Sequence, residues 1–411
     1  MADAYIVDHC RTPRGIGKVG KGALADMHPQ HLGAAVLSAL RDRNDLDTSK
    51  VDDIVWGTSN QTGPQGGDLG RMSALDAGYD VRASGVTLDR FCGSGLTVAQ
   101  LGASTIMAGM QDVVIAGGCE MMSFSFSPEG RRNVGLDGGN LRLRDVHPQV
   151  AQGVCADAIA TLEGIDRLAT EELAVESQRR ADIAIKEGRF DKSLIKVYKA
   201  DGSLALDREE FPRPQTTLET LAGLKPSFEA MMDYPVDATG ATHGQLIRKA
   251  YPDLDIQHMH HAGNSSGVVD GAAAILIASA KACEENGWTP RAKITHAVNV
   301  GDSPELMLNA PVPAARKALE RAGLTPDDID LWEINEAFAV VAEKFIRDLK
   351  LDRSKVNVNG GSIALGHPIG ATGSILIGTL IDELERQDKK RGLVTMCAAG
   401  GMAPALIIER V

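Results

Sequence analysis

Basic residues are outnumbered in this chain: 43 Lys and Arg face 55 Asp and Glu, leaving a formal charge of −12. Such a balance repels phosphate and argues against non-specific nucleic-acid binding. An anionic small ligand would need a local basic cluster. No C-x-x-C pair occurs among the cysteines Cys10, Cys92, Cys119, Cys155, Cys283 and Cys397. The N-terminal stretch MADAYIVDHCRTPRG has no apolar signal core. Reduced thiols in a cytoplasmic setting are therefore expected, not a disulfide framework. No uninterrupted apolar run is long enough to span a membrane, so membrane insertion is not expected. Aromatic residues are sparse at 4%, whereas glycine is abundant at 44 of 411 residues. That mixture suits an α/β protein with many tight strand–helix turns.

The α/β texture is clear at both ends. A buried strand is expected at Ala4–Val7 and an amphipathic helix from about Pro29 to Arg43. The unit GVTLDRFCGSGLTVAQLGASTIMAGMQDVVIAGGCE reads as strand, sharp turn, helix and returning strand, with Gly109 at the helix C-terminus. Residues 124–262 are richer in charge, proline and irregular segments, and read as an insertion over the core. Later, LWEINEAFAVVAEKFIRDL reads as a strand entering a helix, and GHPIGATGSILIGTLIDELER as a loop opening one. The closing RGLVTMCAAGGMAPALIIERV reads as a β-hairpin. VVIAGG and VTMCAAGG echo one another, which suggests two related halves meeting at one site. The expected division is 1–123 completed by 263–290, the insertion 124–262, and 291–411.

Cys92 sits at a strand-to-helix turn among glycines. A helix N-terminus favours negative charge there, so a thiol pKa below the free value of about 8.5 is expected. The competing reading is a small buried hydrophobe. His367 lies in GHPIGATG, a backbone shaped around its ring, and could exchange a proton with a thiol. Cys397 precedes AAGG in the other half, so a site with two thiols is conceivable. Asn335 follows the strand LWEI and is either an N-cap or a site residue.

The chain resembles the thiolase family over nearly its whole length. The matching pieces are RTPRG, RFCGSGL, AGGCEMMS, PRPQTTLETLAGLKPSF, HAGNSSGVVDGAAA, NEAFA, NVNGGSIALGHPIGATG and CAAGG, in that order. The resemblance implies two similar α/β/α/β/α layered halves with a loop domain inserted in the first. It implies that Cys92 carries the acyl group, that His367 activates it, and that Asn335 holds a water of an oxyanion hole. Cys397 would be the acid/base, and the backbone N–H groups of Cys92 and Ala399 a second oxyanion hole. Coenzyme A would be a substrate, with no permanent cofactor and no metal. Arg213, Thr220, Leu224, Ala262 and Ser266 would line its path. Phe228, Met307, Phe338 and Gln152 would shape the acyl pocket. A homodimer or homotetramer is implied. Carbon–carbon bond formation next to a thioester needs an enolate met by pre-aimed donors. A base separate from the nucleophile is needed because the nucleophile is occupied by the acyl group.

Three features depart from the family pattern. Ala151-Gln152-Gly153 stands where short-chain members often carry His-Met-Gly. Ala399 stands where glycine is frequent. Residues 229–261 are longer than the usual connection and end in His258, His260 and His261. Alternation would put His258 and His260 on one strand face as a metal pair, but a structural role is the stronger expectation. Arg213 and Lys225 are candidates for the basic cluster. The competing readings are a related condensing enzyme and a non-catalytic acyl-CoA- or lipid-binding relative. The expected activity is thiolytic cleavage of 3-ketoacyl-CoA, with an acetoacetyl-CoA-specific acetyltransferase as the alternative.

Overall fold

The structure is a computed structural model that describes residues 2–130 and 135–411. Its strands are β1 (Ala4–Arg11), β2 (Gly15–Ile16), β3 (Asp53–Gly57), β4 (Ser84–Leu88), β5 (Val113–Met121), β6 (Val197–Tyr198), β7 (Leu204–Leu206), β8 (Val269–Ser279), β9 (Ala292–Gly301), β10 (Leu331–Ile334), β11 (Arg391–Thr395) and β12 (Met402–Arg410). Nine of them form one path in the order β10-β11-β12-β9-β1-β8-β5-β3-β4, with β2 beside β8. β5 and β8 are buried along their whole length. Their near-continuous apolar runs fit strands covered on both faces.

The echo between the two ends has a structural counterpart. β5–β8 is antiparallel and β3–β5 parallel; β11–β12 is antiparallel and β10–β11 parallel. β1 and β9 each close their run antiparallel to β8 and β12. β4, parallel to β3, is matched in the second run only by the isolated parallel bridge Trp332–Val356. The runs join where Ala4–Ile6 pairs with Ala292–Ile294.

Two helices at the centre pack against each other, Ser94–Met107 and Ile369–Arg386. Glycine lets them approach. A Cβ on Gly373 would lie 2.0 Å from the Leu96 nitrogen, and one on Gly95 would lie 2.8 Å from the Gly370 oxygen. Only hydrogen fits between these backbones, so both helix N-termini reach one place.

The helix Pro29–Arg43 has the expected bounds, with Pro29 at its start. Gly109 follows the helix ending at Met107 with a positive φ of 72°. The helix after β10 begins only at Ala339, so Asn335 is not its N-cap. Residues 124–262 hold the 20-residue helix Arg167–Lys186, several shorter helices and the ribbon β6–β7. Within them Arg144 is buried between Asp137, at 2.6 and 2.9 Å, and Asp237, at 2.6 and 3.2 Å.

Candidate active site

Cys92 lies one residue beyond Phe91, whose φ of 49° is uncommon for a residue with a side chain. This bend turns the chain from β4 into the helix opening at Ser94. A Cβ on Gly93 would touch Pro404 at 3.0 Å and Ala398 at 3.3 Å, so the Cys92 turn rests on the Cys397 loop. In that loop Ala398 and Met402 exchange backbone hydrogen bonds of 2.7 and 3.1 Å. Ala399 lies inside the turn they close. A negative charge on Cys92 would raise the Cys397 thiol further, so the two thiols share one site.

The expected low thiol pKa is corrected by the structure. Burial pushes Cys92 up to about 12, and the nearby Glu120 carboxylate adds to that, while a hydrogen bond from Gln152 works the other way. Burial also raises Cys397 well above its ordinary value. The helix N-terminus does not outweigh removal from water. Both resting thiols are therefore protonated at neutral pH.

His367 is neutral for the same reason: burial lowers it to about 4. Its tautomer follows from a closed chain of partners. The Thr372 hydroxyl donates to the Pro368 carbonyl at 2.9 Å, so its oxygen accepts from His367 Nδ1 at 2.6 Å. The Ser362 hydroxyl donates to Asn335 Oδ1 at 2.6 Å, which turns Asn335 Nδ2 toward His367 Nε2 at 3.4 Å. The Nε2 lone pair is thus the basic end of the ring. The loop HAGNSSG joins these pieces: Ser266 N–H donates to Ala337 O, Gly267 N–H to Ser362 O, and His367 N–H to Gly267 O, at 2.9, 3.0 and 2.9 Å. Glu120 accepts from the N–H groups of Gly370 at 3.0 Å and Ser59 at 2.8 Å, binding the first half to the start of the His367 helix.

A cavity of about 1150 Å³ is lined by Arg213, Thr220, Leu224, Phe228, Ala262 and Ser266. Lys18 lines it, whereas Lys225 does not. The Arg213 guanidinium stacks over Phe211 at 5.6 Å. Met307 and Phe338 instead belong to the apolar cluster that contains Cys397 and Ala399, against which Phe228 packs. Phe228 and Phe338 meet edge to face at 5.7 Å and so link cavity and cluster. Met307 has a φ of 61° and centres a tight turn closed by Leu308 N–H to Leu306 O at 2.6 Å, a strained conformation. Gln152 opens the helix Gln152–Glu163 beside Cys92.

The three histidines find carboxylates, not a metal. Asp157 accepts from His258 Nδ1 at 2.8 Å and His260 Nδ1 at 2.7 Å, while His261 meets Glu171 at 3.2 Å. His258 and His260 lie outside any strand, so both can turn to one carboxylate. Among the described residues no cluster suited to a metal ion occurs. Sequence reasoning missed Thr372, Ser362, Glu120, Asp157 and Lys18. Thr372 carried a readable signal, a hydroxyl on the first turn of the helix that follows His367. Asp157 carried none.

Residues 4–239 match the family described as "Thiolase, N-terminal domain", and residues 288–410 match "Thiolase, C-terminal domain". A steroid 3-ketoacyl-CoA thiolase of Mycobacterium tuberculosis is 39% identical, covering 100% of this chain and 95% of that protein. An acetyl-CoA acetyltransferase of Cupriavidus necator is 38% identical over 100% of both chains. The crystal structure of the Bacillus anthracis acetyl-CoA acetyltransferase superposes with a TM-score of 0.84 at 31% identity, covering 100% of this chain and 99% of that one. The chain belongs to the thiolase family of acyltransferases.

Proposed function

We propose that this thiolase cleaves 3-ketoacyl-CoA with free coenzyme A, giving acetyl-CoA and a shortened acyl-CoA through a Cys92 acyl-enzyme. The observation that carries the residue roles is the closed chain Ser362–Asn335–His367–Thr372, which leaves one basic imidazole nitrogen in the buried site. Separate pKa values of about 12 for Cys92 and about 4 for His367 make a standing ion pair unfavourable. The Cys92 proton therefore moves to His367 as sulfur attacks the 3-keto carbonyl, not beforehand.

The bond between C2 and C3 then breaks. Its electron pair forms the acetyl-CoA enolate, which takes the Cys397 proton. In the second half coenzyme A enters, its thiol proton restores Cys397, and its sulfur attacks the Cys92 thioester. Cys92 leaves and recovers the proton from His367. Asn335 with its water, and the N–H groups of Cys92 and Ala399, serve the developing oxyanions. Lys18 and Arg213 supply positive charge at the cavity for the phosphates of coenzyme A.

Degradation is the favoured direction, since thiolysis runs downhill. A chain longer than acetoacetyl is the favoured substrate, because Gln152 and Ala399 leave the short-chain pattern. No described helix is long and apolar enough to cross a membrane, in keeping with a cytoplasmic enzyme. A dimer is proposed across the open edge of β4, where Val86 is 45% exposed.

The test is a thiolysis assay over a series of 3-ketoacyl-CoA chain lengths. Turnover of longer chains is expected. A sharp optimum at acetoacetyl-CoA would favour the acetyltransferase alternative, and inactivity on every length would favour a binding protein. Cys92→Ser should form no acyl-enzyme. Cys397→Ala should still be acylated by acetyl-CoA but lose exchange of its α-protons.

A further inference from the structure

The segment 229–261 is fastened to the chain just ahead of Gln152. Its helix, His243–Ala250, opens with a capping box in which Thr242 and Gln245 exchange hydrogen bonds of 3.0 and 3.2 Å, so His243 is held at the first helical position. The Ala151 N–H donates to His243 Nδ1 at 3.1 Å. Two ion pairs tie the same pieces together: Arg144 with Asp237 at 2.6 Å, and Lys249 with Asp145 at 2.7 Å.

Ala151 is the N-cap of the helix Gln152–Glu163 and has no side-chain acceptor with which to cap it. The entry of the chain into this helix is thus set from outside. Two further contacts show what depends on it. The Gln152 side chain lies beside the Cys92 thiol and favours its ionised form. Gly153 faces Phe228 so closely that a Cβ would lie 2.2 Å from the ring.

We infer that His243 is a positioning residue: by accepting the Ala151 N–H it holds Gln152 over Cys92 and so sets the room left for the acyl chain. The inserted segment is then a specificity element, not a surface ornament. His243 touches no reacting atom and acts through Gln152. The inference rests on the thiolase reading for its substrates, but not for the geometry at Cys92.

The experiment compares wild type, His243→Ala, His243→Asn, Gln152→Ala and the double variant His243→Ala/Gln152→Ala. Three readouts are taken: kcat/KM across the 3-ketoacyl-CoA series, the rate of Cys92 alkylation by iodoacetamide, and the thermal midpoint. His243→Ala should lower kcat/KM by about tenfold, the scale of a small misplacement at a reacting centre. The loss should be unequal across chain lengths, and the alkylation rate should change with it. His243→Asn keeps an acceptor for the Ala151 N–H and should restore both. The double variant should behave as Gln152→Ala alone, because the two residues act as one unit.

A His243→Ala enzyme with an unchanged chain-length profile and alkylation rate would overturn the inference, even if its thermal midpoint fell. So would additive effects in the double variant. If the wild type cleaves no 3-ketoacyl-CoA, the thiolase reading fails, and the alkylation rates alone then decide whether His243 positions Gln152.

Discussion

Replacing Thr372 by valine keeps the shape of the side chain and removes its hydroxyl. In the wild type that oxygen accepts from His367 Nδ1 at 2.6 Å because its own proton is committed to Pro368 O at 2.9 Å. Valine leaves the Nδ1–H without a partner in a buried site. An unsatisfied buried donor costs about 1–3 kcal/mol. The ring can avoid that cost only by shifting its proton to Nε2 or by turning, and either removes the base proposed for Cys92. If the cost falls on the transition state, kcat/KM drops by roughly 5- to 150-fold. Steady-state thiolysis measures the loss, and single-turnover acylation by a 3-ketoacyl-CoA assigns it to the first half-reaction. Thr372→Ser keeps the hydroxyl and should stay near wild type. A Thr372→Val enzyme within about twofold of wild type, below the 1.4 kcal/mol that a factor of ten represents, would refute the tautomer assignment.

Gly373→Ala would push a Cβ to 2.0 Å from the Leu96 nitrogen, so a destabilisation of about 1–3 kcal/mol or more is expected with loss of activity, read by thermal unfolding and thiolysis. A variant with wild-type stability would show that the central helices are not locked together. Asp157→Asn removes the carboxylate that His258 and His260 share, and leaving buried donors poorly satisfied costs about 1–3 kcal/mol. An unchanged unfolding midpoint would contradict that role. His367 makes a pH prediction. Its folded pKa of about 4 lies below the ordinary value of 6.5, so the unfolded chain binds more protons between these limits. Stability should therefore be full above pH 6.5 and fall as pH drops toward 4, by about 3 kcal/mol from this group. His367→Asn should flatten that part of the stability–pH curve. If it does not, the histidine is not buried neutral.

Much of the fold was legible because local signals agree with it. Pro29 opens a helix where the apolar period begins, and Gly109 follows the end of another with a positive φ. The site was legible where a motif and its chemistry coincide, as at Cys92, His367 and Cys397. What stayed hidden depends on partners distant in the chain. The sequence around Cys92 shows a helix N-terminus, but its thiol is governed by burial under residues from both halves and by Glu120. A structural role was the stronger expectation for His258 and His260, but their acceptor, Asp157, stayed hidden because it lies about a hundred positions earlier. Asn335 could equally be read as an N-cap because sequence pattern cannot show that the helix starts only after Phe338. Lys18 escaped notice because a glycine-rich loop gives no sign of which cavity it borders.

The seam at β1 bears on how the polypeptide assembles. Ala4–Arg11 pairs with Val269–Ser279 on one side and Ala292–Ile294 on the other. β1 must therefore wait for more than half of these residues to be made before either neighbour exists. β8 also stands between β1 and β5. A fragment ending at residue 239 would carry Cys92 yet lack the strand that holds its half together. Closing such long loops is slow and leaves apolar edges open meanwhile. The seam that unites the Cys92 and Cys397 loops in the finished protein thus makes early synthesis its most vulnerable stage.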